Sequence, residues 1–122
     1  MRSSAAGERN NNMSIIVNLY YKGHEGSARS FAQEMEASGT ADAIRAEDGN
    51  ERYEYFQPLD DPETILLIDC WRDQESLDRH HASPMMAEIA KLREKYDLHM
   101  SVERYVSDTD GVPEKDRAFI RK

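Results

Sequence analysis

A strand-like run, Leu66-Leu67-Ile68-Asp69-Cys70-Trp71, holds a carboxylate and an indole in an otherwise apolar stretch, and His80 follows nine residues after Trp71. A histidine titrates near neutrality and can take a proton from a bound molecule. It can equally cap the end of its helix and close the turn to Ser83. Asp69 must be paired, solvated in a cavity or protonated, because an unpaired buried carboxylate is costly. Arg52, Arg72 and Arg104 are the candidates for a purely structural pairing. Asn18 interrupts a second apolar stretch and either satisfies backbone groups or contacts a ligand. Trp71 is a pocket wall or a core filler, and Tyr53 and Tyr55 are further walls or packing residues with wet hydroxyls. The strand registers put Asn18, Tyr53, Tyr55, Asp69 and Trp71 in one cleft between sheet and helices, a facing that a one-residue slip would reverse. His81 points elsewhere, since adjacent helical positions are about 100° apart.

Periodicity defines the elements that must position these groups. Residues 14–21 (SIIVNLYY) are β-branched and aromatic, hence a strand, with Ile16, Asn18 and Tyr20 on one face and Ile15, Val17 and Leu19 on the other. Ser27 is the expected N-cap of a helix ending near Gly39, with Ala28, Phe31, Ala32 and Met35 as its apolar stripe. A short helical turn is expected over 41–44, then a strand over 50–57 and a hairpin connection from Pro58 to Pro62. The central strand is 64–71, with Leu67, Asp69 and Trp71 on one face. Asp73 can cap a helix over 74–81. Ser83-Pro84 opens another with proline in its first turn and Met85, Ile89, Leu92 and Tyr96 as its stripe. A last strand spans 98–106.

The order β-α-β-β-α-β is that of an α+β, ferredoxin-like fold, an antiparallel sheet with both long helices on one face. Residues 13–107 form this domain. Residues 1–12 read as a disordered polar extension, and 108–122 as a polar tail containing Val112, Phe119 and Ile120. Both faces of strands 15–20 and 65–71 are largely apolar although helices cover only one, so a homodimer is expected, with the tail packing across it.

A chain of 122 residues supports one modest core. Its net charge of −8 opposes phosphate backbones and anionic bilayers, so neither nucleic acid nor membrane is an expected partner. The single Cys70 rules out an intrachain disulfide and points to a reducing, cytoplasmic setting. His80-His81 lacks the spacing of a metal pair, and no Cys or His cluster has zinc spacing. No GxGxxG, P-loop, GxSxG or CxxC motif occurs, which argues against motif-bearing nucleotide sites and serine hydrolases.

Asp69-Cys70-Trp71, Leu77-Asp78-Arg79-His80, Ser83-Pro84 and the element from Gly49 to Tyr53 together resemble the signature of the antibiotic biosynthesis monooxygenase family. The resemblance runs from about Ile15 to Val106. It departs from the family pattern at Asp69, where glutamate is usual, at Asn50, where many relatives have cysteine, and at Met85, where a second histidine is frequent. The resemblance implies a dimeric α+β barrel that oxidises a small quinol-like aromatic with dioxygen and no cofactor. His80 would be the base, Asn18 and Asp69 would position hydroxyls, and Trp71, Tyr53 and Tyr55 would form walls. Three alternatives accompany it. Haem-degrading relatives are matched at Asn18 and Trp71, but this chain has Ala90 where they carry the haem ligand. Isomerases of a phosphorylated sugar would need cations such as Arg45, Arg52 or Arg104. A non-catalytic ligand-binding or stress-response module is the third.

Overall fold

β-branched and aromatic runs pair here into four strands, β1 (Ile15–Lys22), β2 (Asn50–Phe56), β3 (Thr64–Trp71) and β4 (His99–Val106). The computed structural model describes residues 13–122, and the extension expected over 1–12 lies outside the described residues. Helices α1 (Ser27–Ala37) and α2 (Thr40–Arg45) join β1 to β2, and α3 (Gln74–His81) and α4 (Met85–Lys95) join β3 to β4. The sheet is antiparallel in the order β2-β3-β1-β4. This is the expected α+β, ferredoxin-like arrangement. No helix among the described residues is long and apolar enough to cross a membrane.

Register decides which side chains meet the helices. Ile15 lies opposite Trp71, Val17 opposite Asp69, Leu19 opposite Leu67 and Tyr21 opposite Ile65. That face packs on Ala28, Phe31 and Met35 of α1, Ala41 and Ile44 of α2, and Ile89 and Leu92 of α4, all buried. A bulge between Asn50 and Arg52 then sets the facing of β2. Asn50 opposes Trp71, so strict alternation would put Arg52 opposite Asp69. The extra residue puts Tyr53 there instead, and Tyr55 opposite Leu67.

Local differences from the sequence expectations have simple causes. Gly26, at φ 80°, takes the N-cap of α1 in place of Ser27, whose hydroxyl accepts from the His24 N–H at 3.0 Å instead. Residues 40–45 form a full helix, started from Gly39 at φ 85°. Pro84 sits at the N-cap of α4, one position before its first turn. The expected cap of α3 is present, with Asp73 Oδ1 accepting from Ser76 N–H at 2.8 Å. The tail folds into a 3-10 turn (Thr109–Gly111) and a one-turn helix, α5 (Glu114–Arg117), leaving Phe119 and Ile120 exposed.

Gly49 leads into β2 at φ +90°, and a Cβ there would collide with the Ser76 side chain on α3. Gly39 has nearly the same φ, +85°, with open space around it. Gly39→Ala should therefore cost only the left-handed penalty, about 1–2 kcal/mol, and Gly49→Ala an additional ~1–3 kcal/mol of overpacking. Urea unfolding of the two variants measures this. Equal losses would show that Gly49 is not pressed against α3.

Candidate active site

The last turn of α3 carries His80 inward, where it is 3% exposed. Its ring stacks on Trp71, with centroids 4.7 Å apart and planes at 27°. His80 Nδ1 lies 3.0 Å from Glu47 Oε1, in the connection between α2 and β2. An ionised carboxylate can only accept, so with Glu47 ionised the Nδ1 proton belongs to His80, and in the neutral ring Nε2 is then the bare nitrogen. Among the described residues nothing hydrogen-bonds to Nε2. Glu47 is brought there by the Arg72 N–H donating to Gly49 C=O at 2.8 Å, and by Arg72 and Arg79, which both hold Asp48.

Asp69 has found none of the arginines expected as partners. Arg52 pairs with Glu54, Arg72 with Asp48 and Asp73, and Arg104 donates to Gln74 Oε1 at 2.7 Å. The carboxylate instead accepts the Trp71 indole N–H at 2.7 Å. Burial pushes its pKa from the ordinary 3.8 up to about 6, against the opposing pull of His80 and of the indole hydrogen bond.

A cavity of about 320 Å³ opens between β1, β4, α3 and α4. Val17, Leu19, Tyr21, Leu77 and Ile89 supply its apolar wall, His80 its buried titratable group, and Arg93 and Arg104 also face it. A roomier hollow of about 580 Å³ lies near Tyr20, Asp60 and His99. It is shallow, and its Lys22 is already paired with Asp61. The smaller cavity is the candidate site because it is more enclosed and holds the imidazole.

The residues expected in one cleft are not all brought together. His80, Trp71 and Asp69 are contiguous, but Trp71 is fully buried behind the imidazole and lines no open space. Tyr53 and Tyr55 lie in the core beside Tyr21 and Phe31 and do not reach the cavity. The Tyr55 hydroxyl donates to that of Tyr53 at 3.3 Å, and burial raises both phenols far above their ordinary range. Asn18 pairs with Ile68 and Glu103, so it belongs to the opposite face of the sheet. Register is the reason: positions 17 and 69 oppose each other, and 18 must point the other way. Arg45 is held by Glu36 and Asp42, so of the cations considered for a phosphate only Arg104 faces the cavity. Ala90 offers no metal-ligating group.

Sequence reading missed Glu47 and Arg93, and His81, expected to point elsewhere, lines the same cavity, its ring centroid 5.7 Å from that of His80. Glu47 lies 33 residues before His80 and shares no periodic spacing with it. The only local signal was its place just before Gly49.

Residues 14–92 match the antibiotic biosynthesis monooxygenase family, and the chain belongs to it. No protein of curated function is detectably similar. Among solved structures, a conserved protein of unknown function from Bacteroides thetaiotaomicron, described as a possible oxidoreductase, is 16% identical. It superposes with a TM-score of 0.69 over 79% of this chain and 99% of its own. A candidate antibiotic biosynthesis monooxygenase from Deinococcus radiodurans is 20% identical, with a TM-score of 0.65 over 75% of this chain and 89% of its own. A mutant of SnoaB, a cofactor-independent oxygenase from Streptomyces nogalater, is 14% identical, with a TM-score of 0.67 over 79% and 94% of the two chains. At these identities the likeness establishes the fold.

Because the folded pKa of Asp69 is raised, the native state holds its proton from about pH 4 to about 6 while the unfolded chain has lost it. Stability therefore falls as pH rises through that window and stays lower above it, by up to roughly 3 kcal/mol. Asp69→Asn should gain stability over the parent at pH 8 and little at pH 4.5, by thermal or urea unfolding. Carbon-13 titration of the Asp69 carboxyl should give an apparent value about 6; a value near 4 would refute the burial account.

Proposed function

We propose that the protein is a cofactor-independent monooxygenase that oxidises a small, quinol-like hydroxylated aromatic with dioxygen. The observation that carries this reading is His80, fixed by Glu47 on one nitrogen and facing an apolar cavity. Family membership and the fold shared with SnoaB support the reaction class.

In cofactor-free oxygenation the substrate supplies all four electrons that dioxygen requires. A quinol gives two as a ring C–H becomes C–O and two as the quinol becomes a quinone, with one oxygen atom retained and the other leaving as water. An anthrone gives all four as its methylene becomes a carbonyl. A phenol with an open ortho or para position balances in the same way as that carbon becomes a quinone carbonyl, so the choice of quinols and anthrones rests on their more electron-rich anions, which react more readily with dioxygen. His80 Nε2 takes the hydroxyl proton, and the electron-rich anion reacts with dioxygen. Glu47 and the Trp71 indole face stabilise the imidazolium that results, while Asp69 holds the indole in place. The cavity wall of Val17, Leu19 and Ile89 excludes water from the anion.

The working unit is a homodimer on the sheet face that no helix covers. Ile16, Tyr20, Leu66 and Ile68 are only half-buried there in a single chain. Asn18 Oδ1 on the same face is buried without a hydrogen-bond partner, which suits it to the interface better than to catalysis. A cytoplasmic location fits the free Cys70 on that face.

Oxygen uptake by metal-stripped protein should exceed the autoxidation blank with hydroquinones, naphthohydroquinones or anthrones. His80→Ala should lower it about 100-fold or more. Unchanged turnover in the variant would remove His80 as the base. No uptake across the panel, in a protein shown by sedimentation to be a folded dimer, would leave a non-catalytic binding module.

A further inference from the structure

Several arginines on this chain are neutralised by near neighbours. Arg45, Arg52, Arg72 and Arg79 each pair with at least one carboxylate. Arg93 and Arg104 do not, among the described residues. Arg93 donates to Met100 Sδ at 3.3 Å, a weak acceptor, and Arg104 donates to the neutral Gln74. Both side chains line the same cavity, Arg93 from α4 and Arg104 from β4. Arg29 is also without a carboxylate, but it donates to Gln57 at 3.2 Å, away from the cavity. What sets Arg93 and Arg104 apart from the other cations without a carboxylate partner is that both line this cavity.

The geometry points to a substrate that carries an anionic group, a carboxylate in the first instance, held by Arg93 or Arg104 while its hydroxylated ring reaches His80. The inference rests on the quinol-oxygenase reading and narrows it to acidic aromatics. Planar guanidinium groups match a carboxylate by bidentate, charge-assisted hydrogen bonds. Their second role follows from the overall charge. An anion approaching an acidic protein is repelled, and two arginines at the cavity create a local field of the opposite sign. A cavity of about 320 Å³ is at the small end for ligand sites, which suits a two-ring or three-ring acid.

The test is calorimetric binding under nitrogen, so that no turnover is needed and failure of the oxygenase reading would leave the result intact. The probes are 1,4-dihydroxy-2-naphthoate and its methyl ester, which differ in charge and little in shape. The acid should bind about tenfold more tightly than the ester. That preference should shrink as sodium chloride rises from about 0.05 to 0.5 M. It should vanish in the Arg93→Gln/Arg104→Gln double variant, which then binds acid and ester alike, with an unchanged thermal melting point reporting an intact fold. Arg29→Gln, with half that change in net charge and none at the cavity, should keep the preference. Equal affinity for acid and ester, a preference that survives the double substitution, or no measurable binding of the acid would each overturn the proposal.

Discussion

The contact of the Trp71 indole face with the His80 ring, closed on the other side by Glu47, is the constraint around which this structure is arranged. An imidazole 3% exposed must have its polar atoms satisfied, and a single carboxylate satisfies one of them. Holding that carboxylate in place requires the chain to turn sharply at Gly49, against Ser76, and to be tied to α3 through Asp48 and two arginines. Holding the indole requires an acceptor for its N–H, and Asp69 supplies it from two residues earlier on β3. The partly raised pKa of Asp69 is the cost of meeting that need inside the core.

One sheet therefore does two different things with its two faces. The helix face mixes aliphatic packing with a short polar chain of Glu47, His80 and Asp69, and opens on one side into the cavity. The other face is moderately apolar and carries one buried, unsatisfied acceptor in Asn18. β4, exposed along its whole length in a single chain, borders both environments. A fold of this kind lets the same strands serve the proposed ligand site and the proposed dimer surface without the two competing for side chains.

Much of the architecture was legible in the sequence because it rests on local periodicity. The apolar stripe Ala28, Phe31, Ala32 and Met35, the Asp73 cap and the alternation through Leu67, Asp69 and Trp71 each read directly as element and facing. The site was legible only where it was local. Trp71 and His80 are linked by a short strand-to-helix turn, so their proximity could be read from spacing. Glu47 meets His80 only through tertiary pairing, and no pattern in its own segment announces it. Asn18 was misplaced for a related reason: its strand was read correctly, but which face would meet the helices depends on pairing with β3, which sequence alternation cannot decide. Tyr53 and Tyr55 share the face of Asp69 because of the bulge at Asn50 and Arg52, yet they pack away from the cavity, since α1 and α2 cover that end of the sheet.

The central claim is that Glu47 holds the proton of neutral His80 on Nδ1 and so leaves Nε2 free to act as the base. Long-range proton–nitrogen correlation spectra of protein labelled with nitrogen-15 histidine report the tautomer directly. At a pH where the ring is neutral, the account predicts the Nδ1-protonated form, with the chemical shift of a bare nitrogen at Nε2. A proton found on Nε2, whether in the other neutral tautomer or in a ring that remains doubly protonated up to about pH 8, would contradict it.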